Sequence, residues 1–278
     1  MITLRCLRDC CRLWREAGQA VLMDLGGLMR EVILNELREC ERAKGVRVLI
    51  SIESGSRCWG FASEDSDYDV RFVYARPQID YLRLEGVRDT IEWRLDEELD
   101  IVGWDVSKFL RLLRSSNPTA FEWLGSPIVY CEEERFHEVR ELAPRCFNPV
   151  AHAHHYLGMA TKHSVRHIRS GRVTLKRYLY ATRALLACKW AIEEQSPVPM
   201  AFGDLCDALL DDNLRSLIDQ IVETKVHGME GDQQEAIPEL DAWIYGMESG
   251  LKDRISGLTV PKKVSWNDVN CVFLSQIA

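Results

Sequence analysis

Two apolar segments, with a Gly-Ser turn and an Asp-x-Asp pair between them, constrain the fold of this chain more than any other feature. The first segment is Val46–Ile52, which leads into Gly55-Ser56, and the second is Val70–Ala75. Short apolar runs bounded by turn residues are typical of buried strands. The sequence therefore predicts two strands joined by a tight turn and a short helix or loop, with polar side chains collected where the second strand begins.

The pair Asp67-x-Asp69 stands at the start of the second segment. Because side chains on a strand alternate between faces, the two carboxylates are predicted to project from the same side. Two neighbouring carboxylates repel each other unless a cation lies between them, and Mg²⁺ is usually held by one or two carboxylates together with substrate phosphates. The backbone N–H groups of the Gly55-Ser56 turn offer a phosphate a close approach. We therefore predict a site for Mg²⁺ (or Mn²⁺) and a nucleoside triphosphate; the alternative is a solvated acidic strand end beside Glu64 and Asp65.

Residues 53–71 resemble the DNA polymerase β-like nucleotidyltransferase superfamily, whose signature is an apolar strand, a Gly-Ser or Gly-Gly pair, and an acidic-x-acidic pair on the next strand. More narrowly, they are similar to the YcgL/RlaP-type nucleotidyltransferases, whose pattern is also matched by Trp59, Gly60, Phe61, Ser66 and Arg71. The similarity extends from about Met29 to the C-terminus. It implies an α+β fold, in which a small mixed β-sheet nucleotidyltransferase domain, similar to the polymerase β palm, precedes an α-helical bundle domain.

The remaining secondary structure predicted from the sequence has the same two parts. Two further strands, Val87–Trp93 and Leu99–Trp104, are predicted to form a hairpin, and after about Phe147 the pattern is helical almost throughout. We therefore expect a catalytic domain over residues 29–146 and a helical domain over residues 147–278. Residues 1–28 are rich in Cys, Arg and Leu, and they represent either an extra helix or sequence upstream of a start codon at Met29.

Phosphoryl transfer with two metal ions needs a third carboxylate that faces the first two. Asp100 begins the apolar strand that leads into a helix, which is where the third acid lies in the superfamily that this chain resembles. As a base, it could also accept the proton of an attacking hydroxyl. Asp105 is the rival, although it falls on the opposite face of the strand and is well placed to cap the following helix. We favour Asp100 as the third metal ligand and catalytic carboxylate, together with Asp67 and Asp69.

Four residues near the carboxylates are expected to bind the nucleotide. Gly55 and Ser56 would hold the phosphates, although a glycine and a serine are also what a tight turn before a helix prefers. Arg57 follows them directly. Arg71 shares the face of the two aspartates, so it either pairs with a phosphate or neutralises a carboxylate.

Three residues of the helical half are candidate nucleotide ligands as well. Lys176, Tyr180 and Arg183 are spaced i, i+4 and i+7, and therefore share one face of a predicted helix. The YcgL/RlaP-type proteins have a similar Lys-x-x-x-Tyr-x-x-Arg run, and the resemblance implies that it turns toward the cleft and contacts the triphosphate or the base. The alternative is an exposed basic stripe against which the tyrosine packs.

Composition excludes several other classes of protein. The hydrophobic fraction of 46% and the charged fraction of 28% are ordinary for a soluble globular protein. No apolar run approaches the roughly 20 residues of a membrane helix, and the N-terminus lacks a signal-peptide pattern, so we expect a cytoplasmic protein with no membrane partner. The ten cysteines include no C-x₂-C pair of a zinc site. A net charge of −8 argues against a protein that coats nucleic acid, but does not exclude an RNA or DNA end as substrate.

We therefore interpret the chain as a Mg²⁺-dependent nucleotidyltransferase, in which a hydroxyl attacks the α-phosphorus of a nucleoside triphosphate and pyrophosphate leaves. An RNA end is the acceptor that the resemblance implies, and a protein or small-molecule hydroxyl is the second option. The alternative class is a nucleotide-binding regulatory or antitoxin-like module of the same fold without turnover. The complete set of three carboxylates argues against that class.

Overall fold

The structure is a computed structural model that describes residues 27–63, 66–96, 98–165, 168, 173–227 and 233–278. The chain divides into two compact units, residues 1–46 and residues 47–278. The described part of the first unit is a helix over residues 27–44 (α1), followed by Gly45 and Val46. Apolar Val32, Ile33, Leu34 and Leu37 alternate with charged residues at helical spacing, which predicts a helix from Met29 to Lys44, and the observed helix confirms it. The rest of the N-terminal extension, like Glu64 and Asp65, lies outside the described residues.

The second unit contains a five-stranded mixed sheet. Its strands are β1 (Arg47–Glu53), β2 (Tyr68–Ala75), β3 (Thr90–Leu95), β4 (Leu99–Asp105) and β5 (Val129–Glu132). The order across the sheet is β3-β4-β2-β1-β5. β2 runs parallel to β4, whereas the other neighbouring pairs are antiparallel. The α+β fold predicted from the sequence is therefore confirmed, and the N-terminal ends of β2 and β4, which carry the candidate aspartates, lie side by side.

The hairpin of β3 and β4 is confirmed, but the prediction of its first strand was wrong at both ends. The strand predicted at Val87–Trp93 is observed at Thr90–Leu95. Thr90 pairs with Trp104, directly before the last residue of β4. Because the chain turns into a helix after Asp105, residues further upstream have no strand to pair with.

Helices make up most of the remaining chain. They are α2 (Gly55–Trp59), α3 (Val106–Arg114), α4 (Pro118–Gly125), α5 (His137–Cys146), α6 (Pro149–Met159), α7 (Leu175–Glu193), α8 (Phe202–Leu209), α9 (Asp212–His227), α10 (Pro238–Ile255) and α11 (Trp266–Ile277). Shorter elements are the 3₁₀ turns Gln78–Leu82 and Glu134–Phe136, the π-helical turn Ala160–Val165, and the strand pair β6 (Val173–Thr174) and β7 (Gln233–Gln234). None of the described helices carries an apolar stretch long enough to cross a membrane.

Side-chain caps explain where several of these helices begin. The carboxylate of Asp105 accepts a hydrogen bond from the N–H of Ser107 at 2.8 Å, so the predicted N-cap of α3 is confirmed. Asn117 and Asn148 cap α4 and α6 in the same way, each followed directly by a proline. Proline is favoured at the first helical position because its missing N–H would have no partner in the helix.

Two apolar cores hold the second unit together. The first lies between the sheet and α3, α4 and α5, with Leu49, Val73 and Phe109 fully buried. The second lies among helices α6 to α10, and α7 supplies its centre. The C-terminal helix α11 contributes Val269 and Ile277 to the first core rather than to the second. The last helix of the chain therefore packs into the core beneath the sheet that carries the candidate site.

Candidate functional site

The turn between β1 and α2 is built around the close approach of Gly55 to Asp69. Gly55 has a φ of +64°, in the left-handed region that favours glycine. A Cβ atom at this position would lie 2.0 Å from Oδ2 of Asp69. The N–H of Ser54 donates to the carbonyl of Asp69 at 2.8 Å, which fixes the turn against β2. Only glycine therefore allows this turn to lie against the carboxylate, and Ser56 follows in the largely buried first turn of α2.

Asp69 and Asp100 meet at the N-terminal ends of the two parallel strands. The strand register places Asp69 opposite Asp100, and Nη2 of Arg71 lies 2.8 Å from the carboxylate of Asp69 and 2.7 Å from that of Asp100. The same arginine donates through Nη1 to the carbonyl of Asp100 at 2.7 Å. One guanidinium nitrogen therefore occupies a position between two carboxylates. This contact realises the second of the two roles expected for Arg71, neutralisation of a carboxylate.

The charge state of Asp69 reflects the crowding of acids around it. Burial raises the pKa of this carboxyl above its usual range, and the neighbouring carboxylates of Asp67 and Asp100 raise it further. The positive charges of Arg71 and Lys176 act in the opposite direction. Five charged groups, from two strands, one helix and the segment that enters β2, therefore lie within electrostatic reach of Asp69 or include it.

Glu53 holds the backbone of Asp69 by a hydrogen bond, a role that was not predicted from the sequence. Its side chain is 1% exposed, accepts a hydrogen bond from the backbone N–H of Asp69 at 2.9 Å, and accepts a second at 2.5 Å from the hydroxyl of Tyr130. Burial raises the pKa of Glu53 to about 7. The sequence did carry a signal for this role, since Glu53 is a charged residue at the end of an apolar strand, next to the glycine turn. Buried glutamates are rare unless they have partners.

Asp67 and Arg57 lie on the segment that enters β2. The Asp67 side chain is exposed, and Nε of Arg57 donates to its carbonyl at 3.1 Å. Arg57 also donates to the carbonyl of Ser66, and its guanidinium stacks 3.7 Å above the ring of Tyr68. Arg57 therefore fixes the backbone that carries Asp67.

The three candidates on α7 occupy different environments. Lys176, in the first turn, acts on Asp69, and its ammonium lies 5.8 Å from the ring centre of Tyr180. Tyr180 packs edge-on against Trp59 at 5.1 Å. Arg183 is only 2% exposed; it stacks on the same tryptophan at 4.3 Å and pairs with Glu122 at 3.2 Å. The structure thus brings Lys176 to the carboxylates, whereas it places Arg183 in the interior behind α2 rather than in an open cleft or on an exposed stripe.

Asp105 is separated from the carboxylate pair by its own partners. Besides capping α3, its side chain accepts a hydrogen bond from the hydroxyl of Tyr81 at 3.1 Å and lies 3.6 Å from Nε of Arg76. It is 3% exposed, which suits a structural cap. Of the two rivals for the third carboxylate, Asp100 is the one that the structure brings to Asp69.

The donor atoms at this place suit a hard divalent cation. Among the described residues, no group of three or more His, Cys, Asp or Glu side chains is arranged to hold a metal ion. Asp69 and Asp100 nevertheless present carboxylate oxygens to one shared cationic nitrogen, and Mg²⁺ prefers oxygen ligands of this kind at about 2.0–2.1 Å. The carboxylate oxygens of this pair are therefore donors of the kind that would hold a divalent cation.

A family model and a related sequence agree with the resemblance seen in the sequence. The model of the RlaP family, described as "RNA repair pathway DNA polymerase beta family", matches residues 29–275. The uncharacterized protein YcgL of Bacillus subtilis (strain 168) is 35% identical over 251 residues, which cover 90% of this chain and 96% of that protein. The crystal structure of a nucleotidyltransferase-like protein from Exiguobacterium sibiricum 255-15 matches with a TM-score of 0.29 and 12% identity, over 82% of this chain and 74% of that one.

Proposed function

Because the chain belongs to the RlaP family of RNA repair pathway DNA polymerase beta proteins, and so is of the nucleotidyltransferase kind, we propose that it is an active, metal-dependent nucleotidyltransferase. The observation that carries this proposal is the carboxylate pair of Asp69 and Asp100, which share one cationic nitrogen beside a glycine turn that leaves room for nothing larger. A pair of this kind is the oxygen donor set that a nucleotide-bound Mg²⁺ requires.

In the proposed reaction, the oxygen of an acceptor hydroxyl forms a bond to the α-phosphorus of a nucleoside triphosphate. The bond from that phosphorus to the bridging oxygen breaks, and pyrophosphate leaves. Asp69 and Asp100, with Asp67 at the entry to the strand, would hold Mg²⁺ or Mn²⁺, which when bound neutralises phosphate charge and polarises the reacting oxygens. Asp100 accepts the proton of the acceptor hydroxyl.

The residues around the carboxylates contribute mainly by position. Glu53 and Arg57 hold the backbone of Asp69 and Asp67, respectively, through the hydrogen bonds given above. Lys176 and Arg71 supply positive charge beside the carboxylates, where a triphosphate is to be bound. Catalysis by positioning and charge neutralisation is sufficient for this class of reaction, because phosphoryl transfer needs little covalent chemistry from the protein.

Tyr180 and Arg183 are proposed to act on the nucleotide site through Trp59, the last residue of α2. The tryptophan ring contacts both side chains, at 5.1 Å from the tyrosine ring and 4.3 Å from the guanidinium. Because α2 also contains Gly55 and Ser56, a fixed tryptophan fixes the phosphate-binding turn.

We propose an RNA end as the acceptor, since the description of the family refers to an RNA repair pathway. The test is the transfer of label from α-labelled nucleoside triphosphates to RNAs with defined 3′ and 5′ ends, in parallel with DNA, protein and small-molecule pools. Asp69→Asn removes one carboxylate charge at nearly constant size, and it should abolish transfer while the protein stays folded. If label is transferred only to DNA, protein or small molecules, that class is the acceptor and RNA is not.

Binding measurements separate the enzyme from a binding module without turnover. Calorimetric titration of ATP with and without Mg²⁺ should give weak binding in the absence of metal, because uncompensated carboxylates repel the triphosphate. Equal affinity in both conditions would contradict the metal site. Metal-dependent binding without transfer to any pool would instead favour the regulatory module.

A further inference from the structure

Helix α9 buries a lysine at a position where its own pattern calls for an apolar residue. Leu214, Ile218 and Ile221 form the core-facing stripe of this helix, and Lys225 continues the stripe four residues further on. Lys225 is 6% exposed. Lysine is almost never buried unless its ammonium has a partner, because removing the charge from water costs several kcal/mol. A leucine or methionine would serve the core better, so the lysine requires another explanation.

The ammonium of Lys225 reaches the connection between α2 and β2. It donates a hydrogen bond to Oγ of Ser63 at 2.9 Å. Ser63 is itself tied to Ser66, since its N–H lies 3.0 Å from Oγ of Ser66 and the two hydroxyls lie 3.0 Å apart. The N–H of Ser66 returns to the carbonyl of Ser63 at 3.1 Å. All three side chains are almost fully buried, so these hydrogen bonds lie in the interior rather than at the surface.

Asp67 directly follows Ser66. The Asp67 side chain is exposed, so packing does not determine where its carboxylate lies; the backbone of Ser66 and Asp67 does. Arg57 holds this backbone by donating to the carbonyls of Ser66 and Asp67. Lys225, from a helix that begins more than a hundred residues later, holds Ser66 through the hydroxyl of Ser63.

We propose that Lys225 is a positioning residue for the nucleotidyl transfer reaction: its hydrogen bond to Ser63, which is bonded in turn to Ser66, sets the carboxylate of Asp67. This inference rests on the proposed function. Helix α9 would then contribute to the nucleotide site through Lys225, in addition to its role in the helical core.

The experiment replaces Lys225 by methionine, which keeps the length and removes the charge and the hydrogen bond. We expect kcat to fall roughly 10- to 100-fold, because a small misplacement of a reacting group has effects of that size. The apparent affinity for Mn²⁺ should fall as well, while the melting temperature stays constant or rises. Lys225→Arg, which keeps a charged donor, should restore part of the Mn²⁺ affinity. Ser63→Ala removes the acceptor instead, and should reproduce the loss.

Lys189→Met is the matched control. Lys189 is a partly buried lysine of the helical half, and its ammonium donates to the carbonyl of Leu209 at 3.2 Å, far along the chain from Ser63 and Ser66. This variant should keep wild-type kcat and Mn²⁺ affinity. If Lys225→Met and Lys189→Met behave alike, or if activity of Lys225→Met is lost only in proportion to unfolding, Lys225 is structural and the inference is refuted.

Hydrogen exchange of the peptide that spans residues 61–68 tests the same inference without an activity assay. Exchange should accelerate in Lys225→Met and stay unchanged in Lys189→Met. A wild-type protein that shows neither metal-dependent nucleotide binding nor transfer would refute the proposed function, whereas unchanged exchange in Lys225→Met would refute the role of Lys225 alone.

Discussion

Replacement of Gly55 by alanine tests how closely the glycine turn and the carboxylate of Asp69 depend on each other. The new Cβ would lie 2.0 Å from Oδ2 of Asp69, and ordinary contact begins at 3.4 Å, so the oxygen must retreat by 1.4 Å. Oδ2 is the far end of a side chain, and rotation of that side chain relieves the clash. The carboxylate then leaves its place beside Arg71, where it forms an ion pair of 2.8 Å.

The chain offers a matched control in Gly45. Its φ of +62° is nearly the same as the +64° of Gly55, but a Cβ there would meet nothing within 4 Å. Both alanine variants therefore carry the strain of a left-handed residue, on the order of 1–2 kcal/mol. The variants differ in the displacement of Asp69. A misplacement of about 1 Å costs roughly 100-fold in rate when the group takes part in the reaction.

We expect Gly55→Ala and Gly45→Ala to lose similar free energies of unfolding, measured by urea denaturation. Nucleotidyl transfer should fall roughly 100-fold in Gly55→Ala and stay unchanged in Gly45→Ala. Where no acceptor is in hand, Mn²⁺-dependent binding of nucleotide is the equivalent measurement. Equal activity of the two variants would refute the reasoning, because Asp69 would then tolerate a displacement of more than 1 Å.

Three further predictions concern other residues. Asp100→Asn should lower the transfer rate by several orders of magnitude with little change in stability, whereas Asp105→Asn should be almost silent in the same assay, because asparagine caps a helix about as well as aspartate. Lys176→Ala should raise the KM for the triphosphate more than the KM for a diphosphate analogue; equal effects would show that the lysine does not act on the terminal phosphate. Burial lowers the pKa of His152 to about 3, below the value of about 6.5 in an unfolded chain, so its contribution to stability is complete above about pH 6.5 and is lost as the pH falls toward 3. The free energy of unfolding should therefore fall between pH 7 and pH 5, and this fall should be about 2 kcal/mol smaller in His152→Leu than in the wild type. If the two proteins show the same pH dependence of unfolding, the burial of a neutral imidazole is contradicted.

The local pattern of the sequence was sufficient for the framework of the site. The strands on either side of the Gly-Ser turn, the α+β class and the cap at Asp105 follow from periodicity and from residue preferences that act over a few positions. The ends of β3 did not follow, since the length of a strand depends on where its partner strand ends. The glycine was predicted for the right turn, but the reason for it, a carboxylate 2.0 Å from a missing Cβ, is a tertiary contact.

The choice between rival residues was made by tertiary structure. Asp100 and Asp105 carry the same side chain and lie on the same strand, and only the parallel pairing with β2 places Asp100 opposite Asp69, whereas the Asp105 side chain contacts Tyr81. The helical spacing of Lys176 and Arg183 predicted one shared face, but it carries no information on what that face contacts.

The sequence by itself determined the kind of site, because strand, turn and paired carboxylates are encoded within twenty-five neighbouring residues, 46–70. Tertiary structure alone decided which distant groups complete it. Lys225 meets Ser63 across 162 positions, and the depth at which Arg183 is buried follows from Trp59 and Glu122. Contacts of this kind depend on how separate elements pack, and a single sequence records each partner without recording the pairing.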